Sequence, residues 1–270
     1  MPKRMDDRDV ARHWDDNAPD WTSGVRAGYD VSRIYVNNPA FFGMLGDIKG
    51  QRVLDVGCGE GTNTRKYADL GAKVVGVDVS GKMIEAAHEH EAKELRGIEY
   101  HVTSGADLRR FPDALFDAVL SNMAIMDMAD WQGCIREVAR VLKAGGLFQF
   151  SISHPCTMTR RWKWILDEQG RRLGFLVGNY FRLIQDPPGK EVDEWFFGAA
   201  PAEAKAKARK FRIPVFFRTL SEYHNTLVDS GFIVERLAEP CPSNEAIAAC
   251  PGIADNRVAP FFLVFRCRKR

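Results

Sequence analysis

The period of apolar and polar positions changes repeatedly along the chain, and each change predicts an element. Val53, Leu54 and Val56 form a short apolar run interrupted only by Asp55, as a buried strand does. The run breaks at Gly57, Gly59 and Gly61 and restarts over 62–70 as a helix. A second apolar run over 72–78 ends on Asp78, and Ser80 follows as the N-cap of a helix that begins at Gly81. Ile98, Tyr100 and Val102 alternate with polar residues as a third strand, and 115–121 read as a fourth. Ile135, Val138, Ala139 and Leu142 recur at helical spacing, predicting a helix over 131–142 that Ala144, Gly145 and Gly146 end before a fifth strand at 147–152. Strands alternating with helices over 51–153 imply a mostly parallel sheet with helices on both faces.

The flanks are less regular. Residues 9–46 mix charges with His13, Trp14, Trp21, Tyr29, Tyr35, Phe41 and Phe42, and predict one or two helices with Pro39 at a helix start. These aromatics either cover an edge of the core or, Trp21 and Tyr29 especially, fold over a ligand. From 155 to 214 the alternation is lost, and Trp162, Trp164, Phe175, Tyr180, Phe181, Trp195, Phe196 and Phe197 accumulate around the turn Asp186, Pro187, Pro188, Gly189. A segment this long and aromatic reads as an inserted cap. Within it Ala202 to Lys210 favours helix, its lysines forming a solvated face. Thr219 and Glu222 fit a capping box for a helix that stops at Gly231, and 232–237 with 261–265 read as two strands closing the sheet as an antiparallel pair. The expected architecture is a doubly wound, mostly parallel, seven-stranded α/β sheet in one domain. It comprises an N-terminal helical segment (1–50), a core (51–154), an aromatic cap (155–214) and the C-terminal part of the sheet (215–270).

With 270 residues the chain can bury a sizeable core. A net charge of +2 makes no strong case for nucleic acid or an anionic membrane as partner. The lysine-rich cap segment keeps RNA as the alternative. Six scattered cysteines with no Cys-x-x-Cys pair read as reduced thiols of a cytoplasmic protein. The N-terminus carries charges where a signal peptide needs an apolar core. No apolar run approaches the roughly 20 residues of a membrane helix. His88, His90 and His101 lack ligand spacing, so no metal is expected.

Strand, glycine turn and helix together bring main chain against a ligand. The third glycine falls one residue early for a dinucleotide fingerprint. Asp55 would oppose a pyrophosphate but suits an ammonium group, and Asp78 is placed to accept from a ribose diol. These features describe a nucleoside with a zwitterionic tail and argue against a nicotinamide oxidoreductase.

The run from Val53 to Gly61, the run from Val74 to Ser80 with Met83, Phe116 to Val119, and Arg140 to Gly146 together resemble the class I S-adenosylmethionine-dependent methyltransferases. The likeness is to their small-molecule, ubiquinone/menaquinone-biosynthesis-like (type 11) branch in particular. It covers residues 30–153 and, loosely, the final helix and strands. The resemblance implies a Rossmann-like sheet, S-adenosyl-L-methionine as cofactor and S-adenosyl-L-homocysteine as product. It assigns Asp55 and the backbone of Gly57, Cys58 and Gly59 to the amino-acid end of the cofactor. Asp78 takes the ribose hydroxyls, Met83 packs on the adenine, and Val79 belongs to the same set. Ser104, Gly105, Ala106, Asp107 and Leu108 meet the adenine edge, Ser121 and Asn122 lie under the sulfonium, and Tyr29 covers the ligand. Many relatives have an acid followed by alanine where this chain has Ser104, so Asp107 or backbone groups are expected to substitute.

Methyl transfer from a sulfonium is an in-line displacement, and hydroxyl or protonated amine acceptors also need a base. His154, directly after the fifth strand at the carboxyl edge of the sheet, is the candidate catalytic residue, with a hydrogen-bonded structural role as its alternative. Asp127 either lines the same mouth or caps its loop. Tyr223 and His224 take surface or core roles. The expected activity is transfer to oxygen or nitrogen of a small, partly apolar acceptor. A tRNA or other RNA methyltransferase of the same fold and a catalytically inactive cofactor-binding protein are the alternatives. Fold and cofactor motif do not fix the acceptor, and they leave the oligomeric state open.

Overall fold

The computed structural model describes residues 5–159, 161–181 and 192–270. The expected turn from Asp186 to Gly189 lies outside the described residues. Helix α1 (Asp7–Arg26) opens on a capping box between Asp6 and Asp9. A π-helical turn (Arg33–Asn37) leads directly into α2 (Asn38–Leu45), with Pro39 in its first turn as the sequence predicts. The core then alternates β1 (Arg52–Val56), α3 (Thr62–Asp69), β2 (Lys73–Asp78), α4 (Gly81–Glu91), β3 (Glu99–Val102), β4 (Phe116–Asn122), α5 (Trp131–Val141) and β5 (Leu142–Ser153). The inserted segment carries two antiparallel hairpins, β6 (Arg161–Leu166) with β7 (Arg172–Gly178), and β8 (Val192–Trp195) with β9 (Phe211–Pro214), with α6 (Ala202–Lys207) inside the second. Helix α7 (Leu220–Asp229), β10 (Phe232–Ala238), α8 (Asn244–Ala249), a 3-10 turn (Pro251–Arg257) and β11 (Phe262–Lys269) complete the chain.

The seven-stranded sheet has the order β10-β11-β5-β4-β1-β2-β3. Its five core strands are parallel, and β11 runs antiparallel to both β5 and β10. Both faces of β1 are covered, which explains its near-continuous apolar run. Leu54 and Val56 join Ile135, Val138 and Phe150 on one side, while Val53 meets Phe41, Tyr67 and Ile84 on the other.

Two differences from the sequence reading have local causes. The fifth strand begins at Leu142, straight after α5, because Phe116 already pairs with Leu142 before the register shifts. Gly145, at φ +70°, lies within that irregular stretch and interrupts the strand instead of preceding it. Helix α8 and the 3-10 turn between β10 and β11 are short and lack an apolar stripe, so periodicity does not announce them. Buried Ile253 in that turn packs with Val36 and Phe262.

Candidate functional site

A cleft opens at the carboxyl ends of β1, β2 and β4, the edge at which open α/β sheets receive ligands. Its floor is the turn after β1. Gly57 has φ +73°, and a Cβ there would fall 2.3 Å from the Cβ of Ala124, so only glycine lets the turn pass beneath that residue. The N–H groups of Gly57 and Cys58 both donate to the Val77 carbonyl, at 2.8 and 3.0 Å, and that of Gly59 donates to Asp78 Oδ2 at 2.8 Å. Gly57, Cys58 and Gly59 line the cleft, but their amides are already committed within the protein. They bring the backbone close to a ligand without offering it the donors the resemblance implies.

Asp78 lines the cleft at the end of β2, and its Oδ1 accepts the Ser80 N–H at 2.9 Å. Burial raises its pKa, opposed by the amides of Ser80 and Gly59. Asp55 is buried in the same cleft and accepts from Thr64 Oγ1 at 2.6 Å. Burial pushes its carboxyl up to about 7; Thr64 and Arg33 lower it and nearby Asp78 raises it.

Two residues at this end carried no sequence signal. Arg33, paired with Asp30 at 2.9 Å, reaches the cleft from the π-helical turn. Asn63, in the first turn of α3, lines the cleft, and its Oδ1 is buried with no hydrogen-bond partner among the described residues.

At the opposite end Val79, Met83, Ser104 and Gly105 line the wall. Ala106 and Asp107 do not. The Asp107 carboxylate is turned outward onto Arg109, with both bonds at 2.7 Å, and that guanidinium holds its pKa low. The acid that does stand here is Asp7, the first residue of α1, whose Oδ2 accepts from Ser104 Oγ at 2.5 Å. Helix α1 is the roof: Asp7, Val10, Trp14, Trp21 and Val25 all face the cleft.

Ser121 is corrected as well. It is fully buried and its Oγ donates to the Val56 carbonyl at 2.7 Å, tying β4 to β1 away from the cleft. Asn122 does line the cleft, held by an amide network in which Asn37 Nδ2 donates to its Oδ1 and its Nδ2 donates to Asn38 Oδ1, both at 3.1 Å.

A second cavity adjoins the first. Trp14, Trp21, Tyr29, Trp195, Phe197 and Phe262 supply its aromatic wall, with Met126, Met158 and Ile213 between them. Tyr29 belongs to this cavity and not to the cleft, because the chain leaves the roof after Arg26 and carries it aside. The two spaces share Trp14, Trp21, Arg33, Met123 and Asp127.

His154 lines neither. Ser153 and Pro155 face a cavity beside the cap, and at the end of a strand the residue between them points the other way. Its ring is buried, with Nδ1 accepting the Cys156 N–H at 3.1 Å and Nε2 lying 2.9 Å from Glu239 Oε1. Burial lowers its pKa. The ring is a structural hydrogen-bonding element. The carboxyl group at the junction is that of Asp127, in the 3-10 turn Ile125–Asp127. Burial raises its carboxyl to about 8, with Arg218 pulling it back, and among the described residues no group hydrogen-bonds it. No set of three or more His, Cys, Asp or Glu among the described residues is arranged for a metal.

Comparison with known proteins was consistent with this arrangement. Residues 54–150 match the methyltransferase-domain family. A demethylmenaquinone methyltransferase of Tropheryma whipplei is 42% identical over 160 residues, which is 57% of this chain and 63% of that protein. A ubiquinone biosynthesis O-methyltransferase of a Bradyrhizobium species is 37% identical over 119 residues, 44% of each protein. The chain thus spans less than two thirds of the length of these curated relatives. The crystal structure of an S-adenosylmethionine-dependent methyltransferase from Mesorhizobium loti superposes with a TM-score of 0.67 at 30% identity, covering 86% of this chain and 96% of that one.

Proposed function

The chain belongs to the class I S-adenosylmethionine-dependent methyltransferases of the methyltransferase-domain (type 11) family, and from that premise we propose that it methylates an oxygen or nitrogen of a small, partly apolar acceptor. The observation that carries the reading is the junction of two spaces, a cleft whose Asp55, Asp78, Asn63 and Arg33 suit a zwitterionic nucleoside and an aromatic cavity beside it.

The donor set fits the cofactor. Each oxygen of Asp78 accepts one backbone amide and keeps a lone pair for a ribose hydroxyl. Asp55 and the Oδ1 of Asn63, which has no partner among the described residues, suit the ammonium group, and the Arg33 guanidinium suits the carboxylate. Asp7 with Ser104 suits the adenine amino edge, and Val79 and Met83 suit the ring faces. When bound, S-adenosylmethionine supplies a methyl group already activated on a sulfonium.

The protein's part is then to hold the acceptor in line and keep water out. Trp14 and Trp21 wall both spaces and serve the second of these tasks. The relatives named for demethylmenaquinone and ubiquinone biosynthesis support a flat, partly apolar acceptor, which the aromatic cavity suits. Calorimetry with S-adenosylmethionine and S-adenosylhomocysteine, followed by a cofactor-consumption screen over phenols and amines, tests the proposal. Binding of both ligands and turnover of a subset of acceptors is expected; failure of both ligands to bind overturns it.

A further inference from the structure

Asp127 is the one carboxyl group among the described residues on the wall common to the cleft and the aromatic cavity. A methyl group passing from one space to the other crosses that wall. We propose that Asp127 is the proton acceptor of the transfer, and that cofactor charge at this wall converts it from acid to carboxylate. The inference rests on the cofactor reading above and narrows the acceptor to a group that gives up a proton, a hydroxyl or an ammonium.

The turn that carries Asp127 is fixed from below. Arg218 donates to the carbonyls of Ile125 at 3.1 Å, Met126 at 3.0 Å and Met128, and its guanidinium lies 5.1 Å from the ring centroids of both Trp131 and Phe216. Its Nη1 and Nη2 donate to backbone carbonyls, so it positions the turn and leaves the carboxyl open to the cavities. The Tyr223 hydroxyl lies beside Arg218 at 3.4 Å. Elsewhere around these cavities Arg33 is paired with Asp30 and Arg172 with Asp255, while Asp193 on β8 and Asp55 across the cleft are acids. Arg218 is therefore the main positive charge acting on Asp127, and burial outweighs it.

Burial keeps the carboxyl protonated near neutrality, and a cation brought close favours its ionised form. A sulfonium provides that cation; the thioether left after transfer does not. In the transfer the acceptor oxygen or nitrogen forms a bond to the methyl carbon, the carbon–sulfur bond breaks with its electron pair going to sulfur, and the acceptor's proton passes to Asp127. The base is thus created only when a methyl donor is in place, and the proton it takes is stable there once the charge has gone.

The test needs no acceptor. S-adenosylmethionine and S-adenosylhomocysteine share the ammonium, carboxylate and nucleoside, so proton release driven through Asp55 is common to both, and the sulfonium is the difference. Calorimetry at pH 7 in buffers of different ionisation enthalpy counts the protons released. The methyl donor is expected to release roughly one more proton than its product. In Asp127→Asn both ligands still bind and the difference vanishes, whereas Asp55→Asn preserves it. In the unaltered protein the affinity ratio of donor to product should rise with pH between about 6 and 8 and then level. Equal proton counts, a difference that survives in Asp127→Asn, or a pH-independent ratio each overturn the inference. Absence of binding by either ligand overturns the cofactor reading and takes this inference with it.

Discussion

The amide of Gly59 donates to Oδ2 of Asp78 at 2.8 Å, so the glycine turn and the acid at the end of β2 form one unit. Removing the carboxylate therefore does two things: it takes away the acceptor for a ribose diol and releases the turn that floors the cleft. A charge-assisted hydrogen bond is worth about 1.5–3 kcal/mol, so Asp78→Ala should weaken cofactor binding more than tenfold. Asp78→Asn, which keeps one acceptor oxygen, should fall between that variant and the unaltered protein. Calorimetry with S-adenosylhomocysteine measures both, and unchanged affinity in Asp78→Ala refutes the role given to this residue.

At the adenine end the structure exchanges one acid for another. Asp7 arrives from the roof and holds Ser104, while Asp107 faces solvent in a pair with Arg109. Asp7→Ala should reduce cofactor affinity by roughly threefold to tenfold, the span of one partly exposed polar contact. Asp107→Ala should leave it unchanged. The opposite ranking in the same titration would restore the expectation drawn from the sequence.

Asp55 and Asp127 make a prediction about stability and pH. Both carboxyls are raised from 3.8 by burial, to about 7 and about 8. Each favours the folded state in its protonated form, so its contribution is fully present below about pH 4 and is lost as pH rises through the folded-state value. Asp127→Asn, which stays neutral throughout, should match the unaltered protein in melting temperature near pH 4 and melt progressively higher than it toward pH 8. Scanning calorimetry of the two ligand-free proteins across that range checks the sign. A variant that melts lower at pH 8 than the original contradicts it.

What was legible in the sequence is the part built from local signals. The passage from β1 through its turn to α3, the acid ending β2 and the order of core strands were readable because strands buried on both faces leave continuous apolar runs. Asp7 and Arg33 were not, and Asp127 was legible only as a residue that lines the mouth or caps its loop. The first two reach the cleft from an N-terminal segment that folds back over the sheet, and no fixed spacing connects them to the glycine turn. His154 looked well placed by its position after β5, but the period of two at a strand end turns its side chain away. Asp127 lies farther past the end of β4, on a turn whose orientation depends on Arg218, far along the chain.

Polar contacts pin the roof along α1, and this makes the rate of cofactor exchange predictable. Asp15 on α1 accepts from Ser80 Oγ at 2.6 Å and from the Lys82 N–H at 3.1 Å. The same Ser80 oxygen accepts from Met83 N–H to cap α4, so latch and cap share one residue. At the other end of α1, Arg26 Nε donates to Glu60 at 3.0 Å. Glu60 is a poor site to test, because it also satisfies the buried Arg65 and its loss would strand that charge. Asp15→Ala and Arg26→Ala are cleaner. The first removes two bonds to a carboxylate and should speed cofactor dissociation by roughly tenfold. The second removes a half-exposed ion pair together with the Nη2 bond to the Ala86 carbonyl at 2.9 Å, and should speed it by a factor of about two to five. Neither should lower the melting temperature much, since α1 stays packed through Asn17, whose side chain exchanges hydrogen bonds with the backbone of Arg212, and through Trp21 against Phe197 and Phe211. Stopped-flow displacement of bound S-adenosylhomocysteine reads the rates directly. Unaltered dissociation in both variants would mean that the cofactor leaves without the roof opening at these contacts.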